Sequence, residues 1–76
     1  MITCYGRTMG PGWLQEVYET ASGDAGRRAR DLRAKGFRAT VGALGSQVTS
    51  VGRVRLTMVT VLGDDYIPPP ERVVGL

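Results

Sequence analysis

Only one stretch of this chain carries the period of a helix without a competing pattern, and it is short. Ala25, Ala29 and Leu32 recur at spacings of four and three, while Arg27, Arg28, Arg30, Asp31 and Arg33 fill most of the positions between them. That is an amphipathic helix with a narrow apolar stripe. Ser22 or Asp24 is placed to cap its start by accepting a hydrogen bond from a first-turn amide. Arg33 and Lys35 suit the negative end of the helix dipole, and Gly36 is positioned to close the helix in the left-handed conformation. A helix over 24–35 is expected, and the rest of the fold has to come from strands and turns.

The remainder is punctuated for that purpose. Ile2-Thr3-Cys4-Tyr5 is a short strand-like piece, stopped by Gly6 and then by the Gly10-Pro11-Gly12 breaker. In 13–20 two patterns compete: Leu14, Val17, Tyr18 and Ala21 fit a helical stripe, whereas Val17-Tyr18-Glu19-Thr20 is rich in strand formers. The strand is adopted here, and the helix stays open. Phe37, Ala39, Val41 and Ala43 alternate with Arg38, Thr40 and Gly42, the period of a half-buried strand, and Gly45-Ser46 reads as the start of a loop. From Arg53 to Leu62 runs the longest strand, with Val54, Leu56 and Met58 on one face and Arg53, Arg55 and Thr57 on the other. Val59 and Val61 fall on the nominally polar face, which suggests a bulge or an end covered on both sides. Gly63-Asp64-Asp65 is a turn, Pro68-Pro69-Pro70 is extended, and Glu71 to Leu76 is a tail or a short docked edge strand.

These elements predict a single α+β domain over 1–76: an N-terminal strand and loop in 1–12, a β-α-β-β core in 13–62 and a Pro-rich tail in 63–76. The architecture expected is a small two-layer α/β sandwich. One helix packs on a three-stranded mixed sheet, with a short extra N-terminal strand left as an option. A right-handed crossover makes the strands flanking the helix parallel, and the last strand returns antiparallel between them or at an edge. Leu32 is expected to meet Val54 or Leu56 in the core.

Composition enters as exclusion. With no histidine and Cys4 as the sole cysteine, an intramolecular disulfide, a Cys/His zinc site and any imidazole-dependent catalytic dyad or triad are ruled out. Asp64-Asp65 with Glu71 nearby reads as a solvated turn rather than a cation site, because six or so oxygen ligands for calcium are not in evidence. Cys4 reads as an inert thiol. No cofactor or metal is expected, and the chain is read as non-enzymatic. No apolar run approaches the roughly 18 residues of a membrane span. The first residues lack a basic stretch followed by an apolar one, and a lone thiol suits a reducing compartment. A cytoplasmic protein without a membrane role is expected.

The formal charge of +3 is almost entirely arginine, with Lys35 the single lysine. Heavy use of Gly, Ala, Arg and Val, all with GC-rich codons, points to a high-GC genome of a bacterium or phage, so the arginine excess is not by itself a sign of phosphate binding. Two short resemblances sit on this background. Gly23-Asp24-Ala25-Gly26 before Arg27-Arg28 resembles the Gly-x-x-Gly clamp of KH domains, which implies nucleic-acid binding; it covers four residues, and Asp24 sets a negative charge where a phosphate would lie. Thr20 to Val41, with Leu32-Arg33-Ala34-Lys35-Gly36-Phe37 at its centre, resembles the first half of a SPOR-type peptidoglycan-binding repeat. The second helix of that family is missing after Leu62.

The leading expectation is a small protein-binding module, such as a phage or mobile-element accessory or inhibitor protein acting on a host protein. It would need a protein partner or a second copy because one Ala-rich helix on a small sheet buries little. Trp13, Val59 and Val61 are the interface residues expected. The alternative is nucleic-acid binding through Arg38, Arg53 and Arg55, which share a sheet face if they oppose Phe37, Val41, Val54 and Leu56.

Overall fold

A computed structural model of the chain describes residues 1–75. The helix, α1, spans Asp24–Ala34. Its end follows from the sequence: Gly36 has φ +93°, and the amides of Gly36 and Phe37 bond to the carbonyls of Arg33 and Leu32, both at 3.0 Å. That pair of bonds is a Schellman motif, and it tucks Phe37 against the core beside Leu32. The start differs from the expected side-chain cap. Gly23, with φ +73°, holds the N-cap position, and Ser22 reaches the amide of Asp24 (3.1 Å) from one residue earlier. Asp24 itself is helical; its carboxylate accepts the Thr3 amide at 3.1 Å and pairs with Arg27 at 2.7 Å.

Six strands surround it: β1 (Thr3–Cys4), β2 (Gly6–Gly10), β3 (Trp13–Glu19), β4 (Arg38–Thr49), β5 (Gly52–Leu62) and β6 (Arg72–Val73). A 3-10 turn over Thr20–Ser22 leads into α1. The main sheet has the order β2-β3-β5-β4 and is antiparallel throughout, while β1 and β6 form a separate parallel pair. The α+β class holds: strands β3 and β4 flank the crossover helix, run parallel, and receive β5 antiparallel between them. The sheet is larger than the three strands expected, because Pro11 and Gly12 turn the chain back so that β2 pairs with β3. Gly10 lies under the indole of its cross-strand partner Trp13, where a Cβ would approach the ring to 2.6 Å. Any larger residue there would push the indole aside.

Two expectations about β4 and β5 are corrected. Gly45-Ser46 starts no loop. It continues β4 after a bulge between Ala43 and Gly45 that leaves Leu44 unpaired, and the turn comes at Ser50-Val51. The side of β5 facing the helix is also the opposite of the one expected. Leu14, Glu16 and Tyr18 of β3 point inward, and their register partners are Val61, Val59 and Thr57. Val59 and Val61 therefore lie in the helix-covered cluster with Leu32, Ala29 and Ala39, all buried. Leu56 is buried outside that cluster, so Leu32 does not meet the Val54–Leu56 side. The β-bulge expected in β5 sits in its neighbour, opposite Thr57 and Leu56, where the buried side of β5 switches.

The C-terminal segment is part of the fold rather than a loose tail. Ile67 and Pro70 are buried, and β6 docks alongside β1. Leu76 lies outside the described residues. No helix among them is long and apolar enough to cross a membrane.

Candidate functional site

Alternation along β5 decides where the singled-out residues fall. Arg53 and Arg55 share the side of Val59 and Val61, but on the part of the β4–β5 hairpin that extends past the end of β3. Arg38 pairs with Leu62 and lies on the opposite side, at the other end of the sheet. The three arginines expected to form one anion-binding face are thus divided between two faces. Val59 and Val61, expected at a protein interface, are fully buried under the helix and offer no surface. The cause is again the register with Glu16 and Leu14, which directs them inward. Trp13 alone of the expected interface residues lies on the open side of the sheet, partly exposed.

That open side is the larger feature. It carries Trp13 and Val17 from β3, Leu56, Met58 and Leu62 from β5, and Arg38 and Thr40 from β4. Leu62 is 47% exposed, and Trp13, Val17 and Met58 are half-buried. A sheet with one wet face usually alternates apolar-in with polar-out. Here the outward set of β3 and β5 mixes Trp13, Val17, Leu56, Met58 and Leu62 with Gln15, Glu19 and Thr60; Leu62 is exposed at one end, whereas Leu56 at the other is fully buried.

On the helix side lies a buried ionic cluster, which sequence reasoning missed. Glu16 is fully buried, and its carboxylate accepts four hydrogen bonds: Arg28 Nε (2.8 Å) and Tyr18 OH (2.7 Å) on Oε1, Arg7 Nε (2.9 Å) and Arg28 Nη2 (3.0 Å) on Oε2. The guanidiniums extend the network to the C-terminal segment. Arg28 Nη2 donates to the carbonyl of Pro68 (2.6 Å) and Arg7 Nη2 to that of Ile67 (2.7 Å). Burial alone would raise the Glu16 pKa, but the bonds from Arg28, Tyr18 and Arg7 hold it below the usual carboxylate range. Burial and the adjacent carboxylate push the Tyr18 phenol up, while Glu16 outweighs burial and raises Arg28.

Chemically this cluster is closed. All four acceptor positions of the carboxylate are occupied, so it has none left for a substrate proton. Its arrangement is that of a brace joining β2, β3, α1 and residues 67–68. Arg28 is accordingly a buried partner and not one of the solvated helix arginines expected. A signal was present: Glu16 shares strand parity with Leu14 and Tyr18, and an acid on the buried side of a strand requires a cation.

Cys4 is buried, donates to the Gly6 carbonyl at 2.9 Å, and burial raises its pKa. A thiol in that state is a weak nucleophile. Among the described residues no acidic, His or Cys cluster could hold a metal ion. A cleft of about 380 Å³ lies between the β2–β3 turn and residues 63–67, lined by Met9, Trp13, Asp64, Asp65 and Tyr66. Arg7, which also lines it, is engaged by Glu16 and Ile67. A second, more polar hollow of about 460 Å³ lies between Tyr5, Glu19, Asp24, Val51 and Arg72. Compared with known proteins, the chain matches no family model, no curated protein and no solved structure.

Proposed function

We propose that this is a small non-enzymatic protein-binding module that meets its partner with the open face of the β2-β3-β5-β4 sheet. The observation that carries the reading is the outward apolar set of Trp13, Val17, Met58 and Leu62, set on adjacent strands and, unlike the buried Leu56 beside it, left partly exposed. Uncovered apolar surface of this kind marks interaction sites on soluble domains. The charged strand residues on that side are Arg38 and Glu19, and Asp64 and Asp65 line the cleft beside Trp13, which suits a protein surface better than a polyanion. The saturated Glu16 carboxylate and the buried Cys4 thiol support a binding role over a chemical one.

The test compares faces of one molecule. A benzophenone photo-cross-linker at position 62 should form protein adducts in extracts of the cells that make this protein. The same group at position 30, on the exposed side of α1, should form few, and Met58→Lys should suppress the position-62 adducts. Equal yields from both positions, or adducts to nucleic acid alone, would sink the reading.

A further inference from the structure

The main sheet has two edges, and they differ in length and composition. Natural edge strands are kept from pairing by shortness, charge, proline or a bulge. The β2 edge is five residues long and is followed directly by Pro11. The β4 edge is twelve residues long, and from Ala39 to Gly52 the chain holds neither a charged residue nor a proline. Arg33 Nε caps the carbonyl of Ala39 at 2.8 Å, and the bulge at Leu44 interrupts the strand. No side chain among the described residues bonds to the backbone of residues 40–48. Val41 is 45% exposed and Val48 72%.

Resting on the protein-binding reading, we propose that β4 pairs antiparallel with β4 of a second copy, making one eight-stranded sheet in the order β2-β3-β5-β4-β4-β5-β3-β2. A closed two-fold contact uses the same surface on both copies, and β4 suits it on charge. An axis through Val41 sets Val41 against itself, Ala39 against Ala43 and Arg38 against Leu44, so no two like charges meet in a protein of net charge +3. The helix surface exposes Arg27, Arg30 and Lys35 against the single exposed acid Asp31, so self-contact there works against a net positive charge.

Area sets the strength. Pairing about Val41 overlaps residues 38–44 of the twelve-residue strand, an edge about 23 Å long and roughly 10 Å thick, so it offers on the order of 230 Å² per copy. A stable interface needs about 800 Å² per partner, which makes this a weak, concentration-dependent dimer. Opposed residues of an antiparallel pair lie on one side of a sheet. Both helices therefore fall on one side of the dimer and both open faces on the other, doubling the platform for a partner.

Sedimentation equilibrium from about 10 μM to 1 mM tests this on the whole chain. The wild type should pass from monomer to dimer across that range. Val41→Lys, which sets two cations against each other on the axis, should raise the dissociation constant at least tenfold without changing the melting curve. Val48→Lys, beyond the bulge, should change it far less. Amide exchange gives a readout free of substitution: the β4 amides not bonded to β5 should slow as concentration rises. A monomer at 1 mM, or a dimer indifferent to Val41→Lys, would overturn edge pairing while leaving the open-face reading to its own cross-linking test. A dimer lost through Met58→Lys and not Val41→Lys would place the second copy on the open face instead.

Discussion

Burying Glu16 among Arg7, Arg28 and Tyr18 makes the core depend on one carboxylate staying ionised. The carboxyl titrates below its ordinary range in the folded protein and near 4.3 in the unfolded chain. Between those two values the unfolded chain binds the proton more readily, so the contribution to stability is complete above the unfolded pKa and fades as pH falls through the folded one. Acidification below about pH 4 should therefore lower the urea midpoint. Carboxyl NMR should show Glu16 titrating below the usual glutamate range; a titration at or above that range would contradict the geometry. Glu16→Gln removes the charge at every pH and leaves Arg28 buried without its counter-ion. Breaking a buried pair this way costs about 3–5 kcal/mol, most of what a domain this small has to lose. A Glu16→Gln protein with an unchanged urea midpoint at pH 7 would refute the brace. Strand parity made Glu16 legible as a buried acid. Its partners were not, because Arg28 is twelve residues away and the Pro68 carbonyl it also binds is forty. Nothing local records that meeting.

The elements divide by how local their causes are. The end of α1 was readable because it is made within residues 32–37, from the Gly36 conformation and the Leu32 and Arg33 carbonyls. Strand β3 was readable from its composition, and β5 from its alternation. The facing of β5 was not, because which of its two sides meets the helix is set by register against β3 and by a bulge in β4, both non-local. The length of β4 was hidden for a related reason. Gly45 has φ +96° and looks like a breaker, but a glycine next to a bulge bends a strand without ending it. The corrected facing reverses the expected outcome for Val61. As an interface residue, Val61→Lys would leave a folded monomer. Packed between Leu14 and Ala39 in the register, it has no water for an ammonium, and burying an uncompensated charge is far costlier than losing a methyl. Val61→Lys should abolish the cooperative thermal transition seen by circular dichroism. A well-folded Val61→Lys protein would restore the earlier facing.

At the scale of the molecule, 35 × 22 × 21 Å across, what matters for function is how charge is distributed relative to the two sheet faces. The arginines of the described fold are spent in several places: Arg7 and Arg28 on Glu16, Arg27 on Asp24, Arg33 on the Ala39 carbonyl. Arg53 and Arg55 remain together on the projecting hairpin, and Arg38 stands apart on the other face. A polyanion following one face can therefore reach two of the three arginines on which the nucleic-acid alternative rests. Each phosphate neutralised on duplex DNA contributes about −0.9 to the slope of log affinity against log salt, so two contacts give about −1.8, against about −2.7 for three. Binding of that kind should be no tighter than roughly micromolar at physiological salt and indifferent to sequence. Fluorescence anisotropy with a labelled duplex, titrated between low and physiological salt, reads both quantities. The Arg53→Gln/Arg55→Gln variant should flatten the slope to near zero, and Arg38→Gln should leave it unchanged. A slope steeper than −3 with nanomolar, sequence-selective binding that collapses in the double variant would mean that the hairpin is the binding element. The open apolar face would then need another explanation.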